Sequence, residues 1–180
     1  ANPLVTTDPA KAPWYFVGLQ ELLEHMHPTL AGVVIPGLLV GFLILIPYID
    51  FSKQNAGVWF SSRRGKRISI WVSLYTAVVM PAYIILDNIF NLREQLRGVY
   101  PDWIAQGLLP TLILGTLVIL PVLVLRLKRA NRREYLLALF SVMFTAAIVF
   151  TISGFLFRGP GFKLYLPWEM PGGYDPWASF

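Results

Sequence analysis

Cysteine is absent from the 180 residues and charge is scarce: Asp, Glu, Lys and Arg make up 14% of the chain, where soluble domains carry roughly a quarter. Without Cys there is no disulfide, no thiolate zinc site, no Cys-ligated iron–sulfur cluster and no Cys-x-x-Cys-His haem attachment. Histidine is limited to His25 and His27, and neither an internal repeat nor a low-complexity tract is present. What is abundant is apolar surface, 56% of residues with a mean hydropathy of +0.58. Those figures exclude both a water-soluble globule and a disordered chain.

The missing charges leave four clean runs. Residues 29–49, 68–86, 103–125 and 135–157 contain no Asp, Glu, Lys, Arg or His. Each approaches or exceeds the ~20 residues that cross a hydrocarbon core as a helix. The expected fold is therefore all-α, a polytopic membrane protein with four transmembrane helices, an N-terminal interfacial helix and an extended C-terminal tail. Prolines 36, 47, 81, 110 and 121 fall inside the runs. Neighbouring helices can satisfy the carbonyls that proline frees, so bends are expected there and not chain breaks. Gly32, Gly37 and Gly41 form a small-residue ladder that would permit close helix contact.

Ten of the fifteen basic residues sit in two short loops. Lys53, Arg63, Arg64, Lys66 and Arg67 lie in one, and Arg126, Lys128, Arg129, Arg132 and Arg133 in the other. The positive-inside rule assigns both loops to the cytoplasmic face and both termini to the opposite, positive side. Short basic loops between spans are what such a topology requires, so no nucleic-acid partner is expected. The chain opens at Ala1 and not at Met, and an upstream part is expected to have been removed or to lie on another chain.

Residues 12–27 place Pro13 at a first helical turn, followed by Trp14, Tyr15 and Phe16 and then by Gln20, Glu21 and Glu24 among leucines. Such a stretch should lie along the membrane interface. The aromatics serve there as belt anchors or as the wall of a pocket, and the carboxylates, three residues apart, share one face. His25 and His27 are two apart and fall on different helix faces, so they cannot grip one metal together. Residues 158–177, rich in Pro, Gly and aromatics, cannot build a core and are expected to drape over partner subunits. Arg158-Gly-Pro-Gly lacks the strand and helix of a phosphate loop, and the uncharged spans argue against an ion pump or voltage sensor.

The order Asn2-Pro3, Ala12-Pro13-Trp14-Tyr15, Pro28, then Gly32 and Pro36 within a span closing on Pro47-Tyr48-Ile49-Asp50, resembles the C-terminal half of cytochrome b, which is the separate subunit IV of cytochrome b6f complexes. The basic loop ending in Arg63-Arg64 and the span after it match that family's next loop and helix, so the resemblance covers about residues 1–90. Three departures stand out. The helix preceding the family's Pro-Glu-Trp-Tyr loop is not in this sequence, Pro13 replaces the glutamate proposed to accept a quinol proton, and residues 91–180 add two spans and a tail.

The resemblance implies two regions, a quinol-site region over 1–90 and an extension over 91–180. It implies a membrane subunit of a cytochrome bc-type quinol–cytochrome c oxidoreductase, not catalytic alone, in a bacterial inner or equivalent energy-transducing membrane. Quinol or quinone would bind at a shared positive-side site, with Pro13, Trp14, Tyr15 and Phe16 as wall, Tyr15 orienting it and Glu21 relaying the proton that Pro13 cannot take. Haem b, and iron–sulfur or haem c, would belong to partners only: a haem-bearing cytochrome b subunit and Rieske-type or cytochrome c subunits, within membrane lipid. The alternative is a structural membrane anchor of an electron-transfer complex with no quinone contact.

Overall fold

The computed structural model describes residues 11–50, 62–91, 95–96 and 99–171. Asn2-Pro3, Lys53 and the end of the tail from residue 172 lie outside the described residues. A short helix, α1 (Trp14–His25), precedes four helices long and apolar enough to cross a membrane: α2 (Leu30–Ile49), α3 (Arg63–Phe90), α4 (Trp103–Leu127) and α5 (Arg132–Phe157). No strand occurs among the described residues, only an isolated bridge between Arg158 and Leu164. Helices are the only open-ended way to satisfy every backbone group in hydrocarbon, which is why the four apolar runs take this form.

All five prolines are carried without a break in their helices. Two of them generate tertiary contacts. Pro110 has no N–H for the carbonyl of Gln106, four residues back, and that oxygen accepts instead from the His27 amide at 2.7 Å. Pro121 likewise frees the carbonyl of Leu117, which accepts from the Tyr75 hydroxyl at 3.1 Å. The first contact fixes the α1–α2 connection onto α4, and the second joins α3 to α4. The backbone widens into π-helical turns at Leu30–Val34 and Trp103–Leu108, shortly before Pro36 and Pro110.

The two basic loops meet at one end of the bundle. Arg64 donates to the Lys128 carbonyl at 2.9 Å and pairs with Glu134 at 3.2 Å. Glu134 in turn accepts from the Asn131 amide at 3.0 Å, stabilising the first turn of α5, while Ser62 Oγ accepts from Gly65 N and starts α3. At the opposite end α1 lies across α5, and a core of Leu22, Met26, Met80, Tyr83, Leu114 and Phe150 draws on α1, α3, α4 and α5.

The glycine ladder of α2 makes almost no contact among the described residues: no atom comes within 4 Å of a Cβ built at Gly37 or Gly41, and Gly32 meets only Leu23. No residue of Ile35–Ile49 is buried, so α2 leans away with an unpartnered apolar surface. The small residues that matter are Gly18 and Gly154. A Cβ at Gly154 would stand 2.9 Å from the Val17 carbonyl oxygen, and one at Gly18 would stand 2.6 Å from Thr151 Oγ1. Spacing alone picked the ladder that looked like a motif and missed the crossing of α1 on α5, because that crossing needs only one glycine from each helix. Gly154→Ala should therefore cost about 1–3 kcal/mol in unfolding of the detergent-solubilised protein, as overpacking against backbone does, while Gly41→Ala should be neutral within about 0.5 kcal/mol.

Candidate functional site

Helix α1 begins where Pro13, in extended conformation, lends its carbonyl to the amides of Phe16 and Val17, at 2.8 and 3.0 Å. Pro13, Trp14, Tyr15 and Phe16 are all exposed, the three aromatics by 64, 62 and 55%. Their rings form a small cluster, Trp14 edge-on to Tyr15 at 5.7 Å and Tyr15 tilted on Phe16 at 4.9 Å. These residues face outward and enclose no pocket among the described residues.

One turn later the surroundings invert. Glu21 is fully buried, and Glu24, three residues on, is exposed. Two carboxylates wetting one outer face is thus wrong for Glu21. A buried carboxylate is costly unless paired, and Glu21 is paired thoroughly. Arg158, the first residue after α5, grips it with Nε on Oε2 at 2.7 Å and Nη2 on Oε1 at 2.8 Å, and Ser153 Oγ donates to Oε1 at 3.2 Å. The fork-on-carboxylate geometry is the strong form of such a pair.

Arg158 is held from behind. Its Nη1 donates to the Phe162 carbonyl at 3.1 Å, and its guanidinium lies 5.4 Å from the Phe162 ring centre. That arrangement needs the tight turn Pro160–Phe162, in which Gly161 adopts φ +68°. Beyond the turn, Tyr165 N donates to Phe157 O at 2.8 Å, and Phe162 and Met170 are buried. The first part of the tail therefore folds back over its own bundle instead of draping entirely over partners. With α3 and α5 it covers a cavity of about 550 Å³ whose mostly apolar lining includes Pro81, Ile148, Ser153, Tyr165 and Glu169.

The chain of charges continues inward from Glu21. His25 Nε2 stands 3.5 Å from Glu21 Oε1, close enough for attraction but too far for a good hydrogen bond. It is the one buried side-chain polar atom without a hydrogen bond among the described residues. His25 Nδ1 meets Asp87 Oδ2 at 2.6 Å, in the last turn of α3. Four titratable groups, Arg158, Glu21, His25 and Asp87, thus connect α5, α1 and α3 at the end opposite the basic loops.

Burial alone would lower the His25 pKa, but the hydrogen bond to Asp87 and the nearness of Glu21 outweigh it and leave the imidazole pKa raised. For Glu21, burial raises the pKa, and His25 and Arg158 outweigh it to leave the carboxyl pKa lowered. The signs oppose in pH. The stabilisation from His25 is complete below its ordinary value and is lost as pH rises through the folded-state value, whereas that from Glu21 holds above the ordinary carboxyl range and is lost on acidification.

The two histidines differ in their surroundings. His25 is committed to Asp87 and enclosed between the rings of Tyr83 and Phe150, at 5.2 and 6.3 Å. His27 is exposed, its Nδ1 accepts from the Thr29 amide at 3.3 Å, and it borders a shallow open groove with Trp103 and Leu108. No cluster of three metal-ligating side chains occurs among the described residues.

Asp87, Ser153 and Arg158 were not singled out by sequence reasoning as site residues. A signal existed: Asp87 and Arg158 each follow directly on the last residue of an apolar run, at the end where α1 carries its carboxylates and histidine.

A four-span helical membrane protein whose interfacial helix is pinned by a buried ion chain is the class these features define. Residues 1–87 match the family described as cytochrome b(C-terminal)/b6/petD. Over those residues, a little under half of its length, the chain is similar to a family whose proteins work in electron transport within cytochrome bc-type complexes. No solved structure matches the chain.

The pairing can be tested by a mutant cycle. Arg158→Met leaves a buried carboxylate uncompensated and should destabilise the protein by about 3–5 kcal/mol, while Glu21→Met/Arg158→Met should cost markedly less than the single variant. Thermal or denaturant unfolding in detergent reads both.

Proposed function

We propose that the chain is a membrane subunit of a cytochrome bc-type quinol–cytochrome c oxidoreductase and supplies one wall of the positive-side quinol oxidation site. The observation that carries this reading is the exposed cluster of Trp14, Tyr15 and Phe16 at the start of a helix whose other end is locked by Glu21 and Arg158. Aromatics held on a rigid support and left uncovered suit a pocket closed by another subunit.

The facing wall would come from a haem-bearing cytochrome b subunit, and the unpartnered surface of α2 suits such a neighbour. Haem b, and the iron–sulfur or haem c acceptor, belong to that subunit and to Rieske-type or cytochrome c partners. The chain's own contribution is binding, orientation and proton handling. Pro13, Trp14 and Phe16 exclude water, and the Tyr15 hydroxyl orients the quinol oxygen.

Oxidation of a quinol releases protons, and Pro13 accepts none. In this reading Glu21 is the fixed anion of the release path, because Arg158 keeps it charged, and His25 beside it carries the proton towards Asp87. In this reading the end bearing α1 faces the positive side of an energy-transducing membrane and both basic loops face the cytoplasm, as the concentration of Lys and Arg in those loops supports.

A structural anchor without quinone contact is the second reading, favoured by one observation: Glu21 is fully paired, as a purely architectural carboxylate would be. Quinol–cytochrome c reduction in membranes matched for complex content separates the two. Tyr15→Ala should lower turnover by about 10²-fold or more with haem content intact. An unchanged rate would remove the quinol-site reading and leave the anchor.

A further inference from the structure

The basic end carries a second feature that the quinol reading does not use. Arg64, Arg67, Trp71 and Tyr75 recur at three- and four-residue spacing and so share one face of α3. Opposite them, Leu120, Val124 and Lys128 line the facing side of α4. Between the helices lies a groove of about 460 Å³, apolar along its length and basic at its mouth.

The charges at the mouth are not all satisfied. Arg64 is engaged by Glu134 and the Lys128 carbonyl. The side chains of Arg67 and Lys128 are exposed and have no ion-pair or hydrogen-bond partner among the described residues. Glu134, the acid nearest this cluster in α5, is already spent on Arg64 and the Asn131 amide, and residues 51–61 carry Lys53 and no acid. At the groove floor the Tyr75 hydroxyl is committed to the Leu117 carbonyl, so it is not free to meet a ligand there.

We propose that this groove binds one anionic phospholipid, its phosphate between Arg67 and Lys128 and an acyl chain laid against Trp71, Leu120 and Val124. Basic pockets between membrane helices take acidic headgroups in this way. A partner helix would need an acidic side chain placed at the mouth, whereas one acidic phospholipid supplies the anion and the apolar chain together. A free phosphate would leave the apolar length unfilled. The proposal is independent of the quinol site, which lies at the other end of the bundle.

The test uses the intact complex, delipidated in detergent and titrated with phosphatidylglycerol or phosphatidylcholine, with bound lipid counted by mass spectrometry. The wild type should bind one phosphatidylglycerol per chain saturably in preference to phosphatidylcholine, and inorganic phosphate should not displace it. Removing charge should weaken binding about fivefold per residue, so Arg67→Gln/Lys128→Gln should lose on the order of 25-fold. Arg63→Gln/Arg132→Gln, which removes equal charge outside the groove, should retain the lipid. Leu120→Trp, which fills the groove with every charge kept, should abolish binding. Retention in either groove variant, equal loss in the control pair, displacement by phosphate, or no preference over phosphatidylcholine would each overturn the proposal.

Discussion

The pairing of Glu21 with Arg158 is the constraint on which the rest of the functional end depends. An unpaired carboxylate could not stay at zero exposure beneath an interfacial helix, and an arginine just past the last span would otherwise turn to water. Joined, they fix α1 on α5, and the turn at Pro160–Phe162 exists in the form it does because Arg158 must be held from behind. His25 and Asp87 extend the same line into α3. A region shared with a known family and an extension outside its match, residues 1–87 and the remainder, are thus tied together through their charges.

Elsewhere the bundle uses contacts that cost little inside a bilayer. Two prolines release carbonyls that neighbouring groups claim, His27 N on Gln106 and Tyr75 on Leu117. Gly18 and Gly154 let α1 approach α5 at backbone distance. Between apolar helices in lipid there is no hydrophobic drive to associate, so close packing and hydrogen bonds of this kind set the arrangement. Past its first turns, which pack into the core through Ala31, helix α2 has no buried residue, and there it stands apart.

The sequence made the spans legible because the absence of charge over about 20 residues is a demanding signal. The meeting of the two basic loops followed from counting Lys and Arg, and Arg64 with Lys128 and Glu134 realises it. The burial of Glu21 was not legible. Glu21 and Glu24 look alike in α1, and the residue that separates their fates lies 137 positions away. The glycine ladder misled for the opposite reason: a local pattern was present in α2, but no helix packs against Gly37 or Gly41 among the described residues. Tyr15 and its neighbours were recognisable as an aromatic cluster, and the structure leaves them exposed.

Amide hydrogen exchange across α1 tests most directly the claim that the buried ion pair holds the functional end in place. In the membrane-embedded wild type, the amides of residues 17–25 should exchange as slowly as those at the centre of α5. In Arg158→Met they should lose protection by about 100-fold or more while α3 and α5 keep theirs, the exchange counterpart of a broken buried pair. Unchanged protection of α1 in that variant, or equal loss throughout the bundle, would contradict the account.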